Sequence, residues 1–263
     1  ANRSSPDAAN LVAESIKAML TVTRTAYPNL AYIVLVGDDN VIPFYRVPDD
    51  TRYANERSYN PHAVAGSPTG AVFQYGYILT DDFYTSYRPF AWRGRGFYVP
   101  QYASGRLVET PGQIAQLLNA YLGSSRLAAQ TGLVIGYDFL SDGATAMAAT
   151  FSSAGITTTT IISDDWTVAD LRHALLDARH DLASLNAHYS HYQAQPAQGG
   201  GLVEASEVIA ANIDFSGTLA YSLGCHSGLN VPDEDGTASG GKDYRQDWPS
   251  AWISRSASYI GNT

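Results

Sequence analysis

Two apolar runs of the sequence each end on a side chain that could take part in nucleophilic chemistry. The run LNAHYSH at residues 185–191 contains His188, and the run YSLGC at residues 221–225 ends on Cys225, the only cysteine of the chain. A thiolate is the nucleophile of cysteine chemistry. A nearby imidazole can accept the thiol proton and later donate a proton to the leaving amine. The two residue types therefore predict a nucleophilic site if the fold brings them together.

Each of these residues alone has a more ordinary interpretation. A single cysteine at the end of a strand is usually a small buried residue, and a single histidine is usually a hydrogen-bonded one. Here both follow successive predicted strands, at residues 181–187 and 217–224. Because reactive groups concentrate in clefts at such strand ends, the pair favours the catalytic interpretation.

The second half of the chain alternates between predicted strands and helices. The strands are expected at residues 132–138, 156–162, 181–188 and 217–225, and the helices between them at 141–155, 167–179 and 204–212. A further helix at 247–257 precedes a strand that begins at 258. Strands joined by such helices imply crossover connections and a parallel sheet, whose ligands bind beyond the carboxyl ends of the strands.

The first half predicts a separate α/β unit. An amphipathic helix is expected over 7–26, with Leu11, Ser15, Ile16, Met19, Leu20 and Thr23 on one face. Strands are expected over 31–39 and 72–84, then a hairpin turning at Arg93–Gly96 and a helix with Thr110 as its N-cap. With a boundary near 123–131, we predict two adjacent α/β subdomains, 1–128 and 129–263, with mainly parallel sheets flanked by helices.

Composition excludes several classes of function. The net charge of −9 disfavours binding to a nucleic-acid backbone, and no apolar run is long enough to span a membrane. No glycine-rich phosphate loop follows the first strand of either half. The N-terminus lacks a signal-peptide pattern, so any export signal is expected outside this sequence. Since the chain ends one step into a strand, we expect it to be a fragment of a larger protein.

The two loops resemble those of a known family. LNAHYSH resembles the histidine loop N-G-H-G-S-H of the gingipain-like cysteine peptidases, a branch of the caspase-fold clan, and SLGCHSGLN resembles their catalytic-cysteine loop. The resemblance continues in order through YIVLVGDDNVIPF, TDDFYT, SGRLVETPGQIAQLLNAYL and AWISRSASYIGNT. One departure is Tyr189, where the family usually has a glycine, which permits backbone geometries that Tyr resists.

The resemblance implies a role for each site residue. Cys225 would attack the scissile carbonyl and form a thioester, and His188 would be the acid–base. The backbone amides of Cys225 and of the His188–Tyr189 turn would hold the oxyanion. Asp138 would orient the imidazole, although a turn or helix-entry role fits it equally well. A protein or peptide substrate and an extracellular or cell-surface location are also implied.

Other groups near the two loops leave alternatives open. His191 and His226 compete with His188, and the three histidines with Cys225 form a conceivable zinc set of unusual spacing. The chemistry requires no cofactor, and structural calcium is the better metal expectation, because acidic loops are plentiful and the family often carries calcium.

The loop after Cys225 is acidic and bears on specificity. In caspase-fold peptidases this loop helps to shape the pocket for the residue before the cut bond, and an acidic lining would favour Arg or Lys. The candidates are Asp233, Glu234, Asp235, Asp243, Asp247 and Trp248, which could equally form a solvated rim. The rival hypothesis is an inactive caspase-like binding or scaffold domain of a larger surface or secretion-associated protein, in contact with other domains of the same precursor.

Overall fold

A computed structural model describes residues 4–123 and 128–263, which group into two compact units. The first comprises the chain up to Glu109 together with Val231–Tyr244, and the second comprises Thr110–Asn230 and Arg245–Thr263. This division differs from the boundary predicted between residues 128 and 129. Residues 124–127 of the predicted linker lie outside the described residues.

The division follows from hydrogen bonds between distant parts of the chain. The helix that begins at Pro111 belongs to the second unit, where Gln116 Nε2 donates to Ser254 O and Ser256 Oγ, both at 3.0 Å. The segment Val231–Tyr244 belongs to the first unit, where the buried Asp235 carboxylate accepts from the Thr69 amide at 2.9 Å and the Thr69 hydroxyl at 2.8 Å. Both contacts join residues more than 130 positions apart, which a local sequence pattern does not reveal.

The first unit combines helices with short strands. In chain order up to Glu109 its elements are α1 Pro6–Ala26, β1 Tyr32–Val36, β2 Tyr45–Pro48, a 3-10 turn Glu56–Ser58, α2 Pro68–Tyr75, β3 Tyr77–Thr80, α3 Asp82–Thr85, β4 Phe90–Trp92, β5 Arg95–Phe97 and β6 Ala103–Leu107. β1 and β6 pair in parallel, and β2–β3 and β4–β5 pair antiparallel. The predicted hairpin at Arg93–Gly96 is therefore confirmed, whereas the parallel pairing expected of this unit is limited to β1–β6.

Two predictions for the first unit need correction. Much of the strand expected over 72–84 is helical, because Ser67 caps α2, Pro68 starts it, and Gly76 ends it in the left-handed conformation. The helix α1 is present, but Leu11 and Met19 of its predicted buried face are 65% and 67% exposed. Its buried side is centred on Ala13.

The second unit is built on one parallel sheet. From Thr110 to Asn230 its elements are α4 Pro111–Gly123, β7 Thr131–Gly136, a 3-10 turn Asp138–Leu140, α5 Ser141–Ser153, β8 Thr157–Ile162, α6 Val168–Leu176, β9 Leu182–Asn186, β10 His188–Tyr189, β11 Gln193–Gln195, β12 Val203–Glu204, α7 Ala205–Ala210 and β13 Leu219–Tyr221. The remaining elements are β14 Ala238–Ser239 and β15 Lys242–Asp243 of the first unit, then α8 Trp248–Ser254 and β16 Ser258–Ile260 of the second.

The five strands of this sheet lie in the order β16-β13-β9-β7-β8, and every neighbouring pair is parallel. Its buried core includes Leu133, Ile135, Leu185, Ala220 and Trp252. The three strands predicted to share a sheet therefore do so as consecutive neighbours, β13-β9-β7. Within the described residues, no helix is long and apolar enough to cross a membrane.

Candidate active site

The order of the strands sets the order of the candidate site residues. Cys225 follows β13, His188 follows β9 and Asp138 follows β7. β9, which precedes His188, lies between the strands that precede Cys225 and Asp138, and all three residues follow the carboxyl ends of their strands. Adjacent strands in a sheet are about 4.8 Å apart, so the three residues start from neighbouring positions.

His188 begins a short antiparallel ribbon at the end of β9. It pairs with Gln195 in the β10–β11 ladder, and its side chain is 41% exposed. The last residue of β9, Asn186, is buried and donates from Nδ2 to Ile135 O at 3.0 Å and to Ser184 Oγ at 2.8 Å. This anchoring fixes the backbone from which His188 projects while its imidazole stays accessible.

Asp138 faces the imidazole of His188. Its Oδ2 lies 3.6 Å from His188 Nε2, which is an ion-pair distance and longer than a hydrogen bond. Asp138 has φ +53°, and its amide donates to Asp164 Oδ1 at 2.8 Å. Both side chains of the Asp138–His188 pair are well exposed, so the contact contributes little to stability.

Two aromatic side chains that the sequence reasoning missed flank the histidine. The Tyr137 ring meets the His188 ring edge-on at 5.4 Å, and the exposed Phe139 ring lies 5.6 Å away. Tyr137 Oη also accepts from the His188 amide at 3.4 Å and donates to Gln195 O at 3.1 Å. Burial raises the pKa of Tyr137, so its hydroxyl stays a donor. The available signal was the triplet Tyr-Asp-Phe directly after a buried strand.

Cys225 is an exposed free thiol in a tight turn after β13. The preceding Gly224 touches the histidine segment so closely that an added Cβ would lie 2.7 Å from Ala187 O and 2.4 Å from Tyr189 Cδ2. The residue before the cysteine therefore packs against the residues on both sides of His188. This contact places the segment before Cys225 against the segment that carries His188.

The C-terminal segment holds the cysteine turn. Asn262 Nδ2 donates to Leu223 O at 2.8 Å, and the Gly228 amide donates to Asn262 O at 2.6 Å. Gly228 and Gly261 meet backbone to backbone, since a Cβ at Gly228 would lie 2.3 Å from Gly261 O. Asn262 is not among the residues that the sequence marks as candidates for the site. Its contact with residues 223 and 228 arises only when β16 pairs with β13.

Tyr189 occupies the position where the family usually has a glycine. It lies in β10 opposite Ala194, an extended conformation that any residue adopts, and its ring packs edge-on against the buried Trp248 at 5.3 Å. The Trp248 amide donates to His191 O at 2.9 Å and its indole Nε1 to Ser190 O at 3.1 Å. Tyr189 and the start of α8 therefore support the loop that follows His188.

The competing histidines have different surroundings. His191 is fully buried, with its ring 4.9 Å from that of Tyr192, and His226 is half-buried in the cysteine turn with φ +54°. Over residues 4–123 and 128–263, no group of three or more His, Cys, Asp or Glu side chains is arranged to hold a metal ion. The conceivable zinc set is therefore not assembled. Structural calcium stays a prediction.

Two of the acids proposed to shape specificity have other partners. Asp235 is buried and binds Thr69, as described above. Asp247 is buried as the N-cap of α8, where it accepts from the Ser250 amide at 2.8 Å and from Asn230 Nδ2 at 2.9 Å. Neither carboxylate is available to a substrate cation, whereas Asp233 and Glu234 are exposed.

Comparison with known proteins shows the family of the chain. The model of Peptidase family C25 matches residues 2–245, a range that contains all three candidate residues. The chain belongs to Peptidase family C25. The resemblance predicted from the histidine and cysteine loops to the gingipain family is thereby confirmed.

Solved structures similar to this C25 chain support the same fold. Gingipain R (RgpB), described as an Arg-specific cysteine proteinase, matches with a TM-score of 0.55 and 13% identity over 91% of this chain and 48% of its own. The complex of Porphyromonas gingivalis RgpB pro- and mature domains matches with a TM-score of 0.52 and 15% identity over 91% and 49%. This chain therefore spans about half the length of those solved chains. A search of curated proteins found no significant match.

Proposed function

We propose that the chain is a cysteine peptidase that hydrolyses peptide bonds with Cys225 as nucleophile and His188 as acid–base. The observation that carries the proposal is the close contact of Gly224 with Ala187 and Tyr189, which presses the cysteine turn against the histidine segment. Membership in Peptidase family C25 supports the same reaction class.

The reaction proceeds in two balanced steps. The imidazole of His188 accepts the Cys225 proton, and the thiolate adds to the carbonyl carbon of the scissile bond. The protonated imidazole then gives that proton to the amine, which leaves as the C–N bond breaks and a thioester remains. In the second step His188 takes a proton from water, the hydroxide adds to the thioester, and the carboxylic acid departs as Cys225 regains its proton.

Neighbouring groups support this chemistry through orientation and charge. Asp138, 3.6 Å from His188 Nε2, stabilises the imidazolium and leaves Nδ1 for the thiol. The Cys225 amide is the candidate donor to the oxyanion. The His188 amide is the weaker candidate, because it already donates to Tyr137 Oη. No cofactor is required, and calcium, if bound, would serve the structure.

Specificity and location extend the proposal. We expect a preference for Arg or Lys before the cut bond, because the chain after Cys225 is rich in acidic residues. Gingipain R, one of the similar solved structures, is described as Arg-specific, which agrees with this expectation. We expect protein substrates outside the cell or at its surface, as the family resemblance implies.

The test compares peptide libraries digested by the wild type and by Cys225→Ala, with calcium present. The wild type should cleave and the variant should not, because no second cysteine exists in the chain. Equal thermal melting of both proteins would show that the difference is chemical. Identical cleavage profiles, or no cleavage by either protein, would favour the binding or scaffold hypothesis.

A further inference from the structure

The strand β8 ends the parallel sheet of the second unit and leaves one of its edges open. It is last in the order β16-β13-β9-β7-β8, and among the described residues it pairs with β7 alone. Its six residues are four threonines followed by two isoleucines, all β-branched and strongly strand-forming. β16, at the opposite edge, has only three residues.

One hydrogen bond of β8 fixes which of its backbone groups face the open side. The Thr157 amide donates to Gln130 O at 2.9 Å, towards β7. In a parallel ladder every second residue bonds to the same neighbour. The amides and carbonyls of Thr158, Thr160 and Ile162 therefore point to the open side.

Natural sheets usually protect such an edge, and β8 is unprotected. Common devices are charged residues, proline, bulges or very short strands. β8 has no charge and no proline, and it runs in one-to-one register with β7 from Thr131↔Thr157 to Gly136↔Ile162. An edge with these properties is a template for an added strand.

A groove of about 790 Å³ lies between β8 and α6, a volume in the range of ligand sites. It is lined on one side by Thr159 and Ile161 and on the other by Ala174 and His180. Trp166 also lines it; the residue is 3% exposed, and its indole N–H has no hydrogen-bond partner among the described residues. A buried donor without a partner is costly, and a backbone carbonyl entering the groove would satisfy it.

The acidic side chains of the groove favour a basic occupant. Three carboxylates line it, those of Asp165, Asp170 and Asp177. The net charge of −9 disfavours a second copy of this chain at an acidic rim, whereas Lys or Arg side chains would complement it.

We propose that the β8 edge and its groove bind an extended, basic segment of a protein substrate by strand addition. The assignment to a substrate rests on the proposed peptidase function and on proximity. The Trp166 ring meets Tyr137 edge-on at 5.2 Å, and Tyr137 meets His188 at 5.4 Å, so Trp166 and His188 lie within about 11 Å of each other. About three or four extended residues cover that distance, so one polypeptide can reach both places.

Binding is tested on the Cys225→Ala protein with a fluorescent peptide of about eight residues that alternates Lys and Val. Fluorescence anisotropy should show binding, and N-methylation of alternate amides of the peptide should abolish it because strand addition needs those donors. A matched peptide that alternates Glu and Val should bind at least about tenfold more weakly.

Protein variants locate the binding to the edge. Thr160→Pro removes an amide that points to the open side, and edge strands tolerate proline, so the fold should be retained. Peptide binding should weaken by about tenfold or more, whereas the control Thr160→Val should bind as the wild type does. Trp166→Phe should also weaken it by loss of the indole donor. The proposal would be overturned if Thr160→Pro and Trp166→Phe bound the peptide as tightly as Thr160→Val and the wild type. So would a wild-type dimer in sedimentation that Thr160→Pro disrupts, which would assign the edge to self-association.

A kinetic comparison separates this inference from the peptidase proposal. In a protein with active Cys225, Thr160→Pro should lower kcat/KM for a long substrate carrying the Lys-Val segment and leave a short substrate unchanged. Equal kcat/KM values on the long substrate would overturn the substrate assignment. If neither substrate is cleaved but the peptide still binds at β8, the peptidase proposal fails while the binding edge stands.

Discussion

Gly224 lies against Ala187 so closely that a Cβ on the glycine would come within 2.7 Å of the alanine carbonyl oxygen. The residue before the candidate nucleophile thus touches the residue before the candidate base. A methyl group on residue 224 would therefore push the segment before Cys225 away from the segment that carries His188.

Gly224→Ala should push the cysteine turn away from the histidine segment. We expect about a hundredfold loss of kcat/KM, since displacements near 1 Å misalign reacting groups, and a stability loss of about 1–3 kcal/mol from overpacking. Hydrolysis of a short peptide measures kcat/KM, and urea unfolding measures the free energy of unfolding. The matched control is Gly143→Ala in α5, where an added Cβ meets nothing within 4 Å and activity should be unchanged. Full activity in Gly224→Ala would show that the contact does not set the site.

The three candidate residues should rank by role. His188→Ala should be nearly as severe as Cys225→Ala, because members of one catalytic unit fail together. Asp138→Asn should cost no more than about tenfold in kcat, because the pair is exposed and separated by 3.6 Å. Asp142→Asn, an exposed acid four residues further on, is the control and should have no effect. A loss for Asp138→Asn equal to that of His188→Ala would mean that the acid is hydrogen-bonded in the working enzyme.

Asn262 should act as a positioning residue for the cysteine turn. Asn262→Ala removes the 2.8 Å bond to Leu223 O, and Asn262→Asp places an oxygen opposite that carbonyl. We therefore expect the Asp variant to lower kcat more than the Ala variant, with about tenfold between them and little change in KM. Asn212→Asp, the same charge change at an exposed position, should be silent. The hypothesis fails if the Ala and Asp variants of Asn262 have equal kcat.

Asp181 should make the second unit sensitive to acid. Burial alone would raise the pKa of Asp181, but hydrogen bonds from the Gln130 and Thr131 amides, the Thr131 hydroxyl and Arg179 lower the pKa to about 2. Because the unfolded pKa is about 4, this carboxylate stabilises the fold above pH 4, and that contribution is lost as the pH falls towards 2. The drop in the free energy of unfolding between pH 6 and pH 3 should be smaller in Asp181→Asn, and intermediate in Thr131→Val. An unchanged drop would assign acid sensitivity to other carboxylates.

Much of the second unit was predictable because its signals are local. Continuous apolar runs such as residues 132–136 mark buried parallel strands, and their order along the chain places His188 and Cys225 at one edge. The supports of the site were not predictable, because Asn262 and Trp248 reach it through contacts between distant residues. Periodicity does not encode such contacts.

In the first unit, local signals were ambiguous. The segment around Val72 and Phe73 has the apolar density of a strand, and short apolar runs do not separate buried helix from strand. The caps Ser67 and Gly76 decided the outcome. The predicted boundary near residues 123–131 differs from the observed division because Asp235 bonds to Thr69, which lies 166 residues earlier, and no shift in composition marks this contact.

The return of Val231–Tyr244 to the first unit also constrains how the protein is made. The chain leaves that unit after Glu109, completes most of the second, comes back, and leaves again after Tyr244. At a synthesis rate of about 5–20 residues per second, Asp235 is added several seconds or more after Glu109. During that time the first unit lacks Asp235 while the second unit is being synthesised. The amide and hydroxyl of Thr69 would lack the carboxylate acceptor of Asp235 during that time. Because each unit consists of two separate chain segments, cleavage of one peptide bond cannot release either unit intact. The two units are therefore synthesised and degraded together.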